Sequence, residues 1–245
     1  MTLTEIWLVR HGESVGNEAA TRAEREGLDR VPLDIRDADV PLSSTGREQA
    51  EALGRWLSVR SSSVDVFWVS PYARARQTLA IALDAAELLA SPRTDERLRD
   101  RELGILDLLT TSGVARFHPE EAERRLHLGK FYHRPPGGES WADVALRLRS
   151  FLSDAAAASP AQQASSAMVV AHDAVVMVLL YLLLGMEEAE LLDFAASRTV
   201  LNASVTHLTR SEDGWRLVDF AAVDHLTTEG APVTAHPGSP DVHPE

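Results

Sequence analysis

Ile6-Trp7-Leu8-Val9-Arg10-His11-Gly12-Glu13 is a short apolar run that stops on an arginine, a histidine and a flexible glycine. The first four residues read as a buried strand, and in an open α/β sheet the carboxyl ends of the strands face the ligand crevice. An imidazole at that end can attack phosphorus while the neighbouring guanidinium clamps the phosphoryl oxygens. A single Arg-His-Gly at a strand end is more often a surface turn than a site. Its meaning therefore depends on what stands at the other strand ends.

Two further strand ends carry matching chemistry. Val64–Val69 feeds Ser70-Pro71-Tyr72-Ala73-Arg74-Ala75-Arg76-Gln77-Thr78, which puts two arginines in the first turns of a helix. There the helix N-terminus and a guanidinium can act together on an anion; Arg74 is the better candidate, and Arg76 reads as a solvated helix residue. Ala167–Ala171 feeds His172-Asp173, a second histidine in an equivalent place. Between them, Leu98-Arg99-Asp100-Arg101-Glu102-Leu103-Gly104 sets carboxylates in an irregular stretch where a proton donor could be held. Arg99 and Arg101 are expected to face solvent, because turned inward they would lower the pKa of the neighbouring acid.

The remaining pattern alternates strands and helices. A helix near Glu18–Glu26 and an exposed loop ending at Pro41 follow the first strand, and loops of that length are usually functional. Ser43-Ser44-Thr45-Gly46 opens a helix to Val59, with Ser44 and Glu48 at its start. A helix from Tyr72 to Leu89 follows the second strand, then an extended piece at Arg93–Asp95 and a polar, irregular segment from Leu98 to Gly113. Helices are expected over Glu120–Leu128 and, after the stiff turn Pro135-Pro136-Gly137-Gly138, over Ser140–Ala158. Ala167 to Leu184 has the length of a membrane span. His172 and Asp173 within it would be costly in lipid, so a strand to Ala171 and a helix from Ala174 to Leu184, closed by Gly185, is the better reading. Ala203–Thr209 and Trp215–Phe220 flank Glu212-Asp213-Gly214 as a hairpin.

This order predicts an α/β three-layer sandwich, a mostly parallel mixed sheet with helices on both faces. One domain is expected over residues 1–226. A tail rich in Pro, Gly, Ser, Thr and His is expected to be disordered over residues 227–245, with His236 and His243 solvated rather than metal-bound.

Composition narrows the function classes. Of 245 residues, 37 are acidic and 24 basic, for a formal net charge of −13. This disfavours nucleic acid and anionic membranes as partners, so an anionic substrate must be met by a local cluster of positive charge. Cysteine is absent. That excludes thiolate nucleophiles, disulfides and cysteine-ligated metals, and it suits a reducing cytoplasm, the expected compartment. The N-terminus lacks the basic start and long apolar run of a signal peptide.

Taken in order, Arg10-His11-Gly12-Glu13-Ser14 with Asn17, Leu42-Ser43 ahead of Gly46, Ser70-Pro71 with Arg74 and Gln77-Thr78, Leu98 to Gly104, Pro135 to Ser140 and His172 resemble the histidine phosphatase superfamily, in its phosphoglycerate mutase-like branch. The likeness runs from Ile6 to Leu180. It implies a phosphoglycerate mutase-like fold, His11 as the phospho-accepting nucleophile, and Arg10, Arg74 and His172 as the phosphate pocket, with no metal and no cofactor. It implies Asn17 as a lining contact and an acid from Leu98–Gly104; counting back from Gly104 selects Asp100, with Glu102 in reserve. Gly12, Glu102 and Asp173 complete the expected substrate contacts. Asp173 departs from the family, which usually has glycine there. Facing the pocket it would repel phosphate, and pointing away it could cap the following helix.

The implied reaction is metal-independent hydrolysis of small phosphomonoesters through a phosphohistidine. A bisphosphate-dependent phosphoglycerate mutase is the alternative, with Arg124-Arg125 available for a second anionic group. A non-catalytic phosphate-binding scaffold, suggested by Asp173, is a third. The expected partner is a small phosphorylated metabolite. The oligomeric state stays open, with a homodimer one option.

Overall fold

Side chains of the first strand part alternately to the two faces of a sheet, and this sorts the hydrophobic core into two layers. A computed structural model describes residues 3–60, 64–162 and 164–236, with no description of the side chains of 158–162. Strand β1 (Glu5–Arg10) sends Ile6 and Leu8 into one cluster and Trp7 and Val9 into the other. The same split recurs in β2 (Val66–Val69), with Val66 and Trp68 opposed to Phe67 and Val69. In β4 (Ser166–Ala171), Ala167, Val169 and Ala171 oppose Met168 and Val170. A period of two with both faces apolar demands helices on both sides.

Those helices are supplied in chain order. Helices α2 (Ser44–Ser58) and α3 (Ala73–Ala85) cover the Trp7 face through Leu53, Leu57, Leu79 and Leu83. On the other face, α6 (Trp141–Gln162) and α7 (Asp173–Leu184) pack Leu148, Phe151, Val175 and Leu179. Helix α7 is apolar all round because it is buried, and no helix among the described residues is long and apolar enough to cross a membrane. Helices α1 (Val15–Arg25), α4 (Thr111–Phe117), α5 (Pro119–Tyr132), α8 (Glu188–Ser197) and α9 (Asp224–Thr228) complete the layers.

With β3 (Arg93–Thr94), β5 (Val205–Ser211) and β6 (Gly214–Ala222), the sheet runs β3-β2-β4-β1-β5-β6. The first four strands in that order pair in parallel, whereas β5 runs antiparallel to both β1 and β6. The expected mostly parallel mixed sheet between helical layers is the architecture found. Its decisive consequence is that β2, β4 and β1 lie side by side with their carboxyl ends together.

Several expectations need correction. Helix α2 is capped by Ser43 rather than Ser44, the Ser43 hydroxyl accepting from Gly46 N at 3.0 Å. Helix α3 stops at Ala85 instead of Leu89, because Glu87 turns left-handed (φ 53°) and Leu88 N returns to Leu83 O. The irregular stretch after Leu98 contains a 3₁₀ turn at Gly104–Leu106 and the start of α4. Residues 227–236 are not a loose tail. Thr227 belongs to α9, and Thr234 and His236 hydrogen-bond to the core. His243 lies outside the described residues.

Candidate active site

The loop after β1 is held from below by buried polar side chains. His11 N donates to Ala171 O at 2.9 Å, which continues the β1–β4 ladder past Arg10. Gly12 N donates to Thr78 Oγ1 at 3.0 Å, Glu13 N to Gln49 Oε1 at 2.8 Å, and Asn202 Nδ2 to His11 O at 3.2 Å. Thr78, Gln49 and Asn202 are fully buried. The N-terminus of α2 presses on this loop so closely that a Cβ on Gly46 would sit 1.9 Å from Glu13 O, and one on Gly12 would sit 2.6 Å from Gly46 O. Only glycine fits at either point.

This backbone fixes the His11 ring. Nδ1 lies 2.7 Å from Gly12 O, a carbonyl that can only accept, so Nδ1 carries the proton. Nε2 accepts from Arg74 Nε at 3.2 Å and is left as the basic nitrogen. Burial, then the charges of Arg74, His172 and Arg10, push the His11 pKa well below its usual value. The imidazole is neutral, with its lone pair directed at a guanidinium.

Arg74 is the hub of the site. Its NH1 bonds Asp37 O at 2.7 Å and Asp37 Oδ1 at 2.8 Å, and its NH2 bonds Asp100 Oδ2 at 2.9 Å. His172 brings Nδ1 to 3.1 Å from the same Asp100 oxygen, off the line of a good hydrogen bond, and sets Nε2 2.8 Å from Ser70 Oγ. The His11 and His172 rings meet edge to face at 5.1 Å. Burial alone would raise the Asp100 pKa, but His172, Arg74 and His11 outweigh it and hold the carboxyl well below the usual range. Burial lowers the pKa of His172 against the pull of Asp100. Arg74, hydrogen-bonded to the carboxylate, thus favours Asp100 as the anion, while burial favours the neutral form of His172.

The remaining candidates fall around this centre. Arg10 is buried, donating through NH1 to Val200 O at 2.5 Å and through NH2 to His236 O at 2.8 Å, while its Nε has no hydrogen-bond partner among the described residues. Asn17 is engaged in capping α1, its Oδ1 accepting from Ser14 N at 3.1 Å and Asn202 Nδ2 at 3.4 Å. Glu102 is exposed and accepts from Tyr72 Oη at 2.9 Å, away from the His11 ring. Asp173 is the first residue of α7 rather than its cap; His172 occupies the cap position, and the Asp173 charge acts on Arg10 and Arg101. Arg76 is exposed as expected. Arg99 and Arg101 do not simply face solvent: Arg99 NH2 pairs with Glu139 Oε1 at 2.6 Å, and Arg101 Nε donates to Glu139 O at 2.7 Å. The turn at Pro135–Gly138 buttresses their loop, because Ile105 N donates to Pro136 O and Gly104 is left-handed (φ 57°) where a Cβ would collide with that carbonyl.

Ligand atoms of His11, Asp100 and His172 lie within 4.8 Å of one another, close enough to hold a cation. The donor set argues otherwise. Arg74 already points a positive charge at His11 Nε2 and at Asp100, so the centre suits an anion.

Sequence reasoning missed Asp37, Ser70, Tyr72, Gln49 and Asn202. Asp37 sits in the long loop before α2, where no periodicity marks it. Ser70 and Tyr72 stood within a quoted segment and Gln49 on an expected helix, yet their bonds to His172, Glu102 and Glu13 depend on contacts between elements distant in sequence.

A strand-end histidine beside buried arginines on this sheet defines a class of α/β protein built to handle phosphoryl groups. Comparison with known proteins gives the family. The model of the histidine phosphatase superfamily (branch 1) matches residues 6–223, and the chain belongs to that family. A Yersinia enterocolitica protein named probable phosphoglycerate mutase GpmB is 32% identical over 75% of this chain and 76% of its own. The Bacillus subtilis uncharacterized phosphatase PhoE is 27% identical over 92% of this chain and 98% of its own. Among solved structures, a mycobacterial glucosyl-3-phosphoglycerate phosphatase in complex with VO3 superposes with a TM-score of 0.69 at 26% identity, covering 90% of this chain and 100% of that one.

Proposed function

We propose that the protein is a phosphatase of small phosphomonoesters that works through a phosphohistidine on His11 Nε2. The observation that carries this reading is the tautomer of His11, with Nδ1 committed to Gly12 O and Nε2 basic and surrounded by cationic donors. An incoming phosphoryl group replaces the Arg74 Nε contact and takes donors from Arg74, Arg10 and His172 on its equatorial oxygens. Each such pre-placed donor contributes about 3 kcal/mol of transition-state stabilisation.

Asp100 is the proposed acid and base. Its hydrogen bond to Arg74 favours the anion. A phosphate dianion draws Arg74 and His172 toward itself and adds negative charge beside the carboxylate, so the Asp100 pKa rises on binding. The protonated carboxyl then gives its proton to the leaving alkoxide as the ester P–O bond breaks and the P–Nε2 bond forms. In the second half Asp100 removes a proton from water, which attacks phosphorus and releases His11 neutral.

The leaving group has a place to go. A cleft of about 580 Å³ opens beside Tyr72 and Asp37, walled by Leu33, Ile35, Asp34 and Glu102. Asp34, Asp37, Glu102 and Asp107 outnumber Arg36 and Arg99 in its lining, and both arginines are already paired, with Asp39 and Glu139, which favours an uncharged or hydroxylated leaving group over a second anion. The substrate we assign is therefore a small phosphorylated metabolite, turned over without added metal, and a cysteine-free chain suits the cytoplasm.

The second reading, a bisphosphate-dependent phosphoglycerate mutase, is favoured by the likeness to GpmB. One assay separates the two. Release of inorganic phosphate from a panel of monoesters in chelator, without bisphosphate-dependent interconversion of phosphoglycerate isomers, is the expected result. Primer-dependent interconversion would establish the mutase instead.

A further inference from the structure

The segment Pro232–His236 lies against the loop after β1 and hydrogen-bonds two of the three buried side chains that hold it, Gln49 and Asn202. Gln49, whose Oε1 receives Glu13 N, donates its Nε2 to Pro232 O at 2.8 Å and to Thr234 Oγ1 at 2.9 Å. Asn202, which donates to His11 O, also gives its backbone N–H to Thr234 O at 3.1 Å and accepts from Thr234 Oγ1 at 3.3 Å. The segment ends on His236. Its imidazole is pinned on both nitrogens, Nε2 to Glu13 Oε2 at 2.8 Å and Nδ1 to Thr21 Oγ1 at 2.5 Å. Its carbonyl accepts from Arg10 NH2 at 2.8 Å.

The consequence for Arg10 is specific. A guanidinium on a flexible stem loses much conformational freedom when fixed, and it fixes only if its fork finds matching acceptors. Two backbone carbonyls, Val200 and His236, take one NH each, which sets the plane of the fork. Nε is then the donor left buried without a partner among the described residues. A buried unsatisfied donor is costly, and an anion beside it would remove that cost.

We propose that His236 is a positioning residue for the phosphate pocket: its imidazole, locked between Glu13 and Thr21, fixes its own carbonyl on Arg10 NH2 and so holds Arg10 ready for a phosphoryl oxygen. The proposal rests on the phosphatase reading and adds a residue far down the chain that the reading did not need. His236 touches no reacting atom. Its effect passes through Arg10, and a test must detect that route.

The readout is vanadate affinity of the full-length protein by calorimetry, alongside kcat/KM for p-nitrophenyl phosphate. His236→Ala is expected to weaken vanadate binding about ten-fold or more, on the scale of one charge-assisted hydrogen bond, with kcat/KM falling in step. His236→Gln keeps an N–H for Glu13 and is expected to stay within about three-fold of wild type. In an Arg10→Ala background, His236→Ala is expected to add nothing, since residues acting through one group are not additive. If His236→Ala does not fold, His236→Asn, which reaches Thr21 but is too short for Glu13, replaces it with the same expected loss. Wild-type vanadate affinity in the variant, or a loss that persists undiminished without Arg10, overturns the proposal alone. A wild-type protein that neither binds vanadate nor turns over a monoester overturns the phosphatase reading and this proposal with it.

Discussion

The nucleophile role proposed for His11 requires that its outward nitrogen carry no proton, and three features of its surroundings secure that. Gly12 O claims the proton on Nδ1, burial disfavours the imidazolium, and Arg74 adds repulsion. The motif around His11 was legible because a strand end and a glycine sit next to each other in sequence. The candidacy of Asp100 came from the family resemblance, counting back from Gly104, and the fold brings it beside Arg74 and His172. Its protonation state was not legible, since that depends on Arg74 and His172, which arrive from other strand ends. Asp37, the second anchor of Arg74, was invisible for the same reason. The role assigned to Asp100 gives an expected outcome. In Asp100→Asn, kcat for an alkyl phosphate should fall about 10²–10⁴-fold, because a poor leaving group needs the proton. For p-nitrophenyl phosphate, whose leaving group is stable as an anion, the first step should fall far less. An equal loss on both substrates, measured by burst and steady-state kinetics, would remove Asp100 from the proton-donor role.

Helix α2 couples its own capping to the site. Ser43 Oγ accepts from Gly46 N and donates to Glu13 Oε1 at 2.8 Å, so one hydroxyl caps the start of a helix and ties down the loop that carries His11. Ser43→Ala should cost about 1 kcal/mol from the cap and a further ~1 kcal/mol from the unpaired Glu13 oxygen. Chemical denaturation would register this as a lower midpoint with an unchanged slope, and an unchanged midpoint would contradict it. The long apolar and amphipathic elements were readable from period and caps. Helix α8 was not expected, because its cap is Glu187, paired with Glu190, instead of a serine, threonine or aspartate. The compositional reading of a loose tail over residues 227–245 does not fit residues 227–236; residues 237–245 lie outside the described residues. Pro, Gly, Thr and His resemble a loose tail, and what orders them is a set of hydrogen bonds to Gln49, Asn202 and Glu13 that composition does not reveal.

Across the whole molecule, a cluster of groups with depressed pKa values must make stability depend on pH. Unfolded, the imidazoles of His11 and His172 take up protons as pH falls through about 6.5. Folded, both stay neutral to lower pH, so the unfolded state binds more protons and stability falls as pH drops through that window. Asp100, also depressed in the fold, adds a loss below about pH 4. Relief of repulsion in a chain of net charge −13 acts in the opposite direction. The difference between wild type and His11→Ala isolates the site: the wild-type denaturation midpoint should decline more between about pH 7.5 and 5.5, and parallel profiles would contradict the account. The sheet that gathers these groups was legible in outline, since alternating strands and helices with a closing hairpin predicted its layers. Strand order was not, because adjacency of β2, β4 and β1 arises from pairing across the chain. That adjacency brings Arg74, His172 and His11 together, and the claim it supports is a covalent phosphohistidine. The direct measurement is acid-free quenching of a single turnover with ³²P-labelled monoester, followed by peptide mapping. The account predicts an acid-labile, base-stable label on the peptide containing His11, absent in His11→Ala. Turnover with no such label, or with the label on another residue, would contradict it.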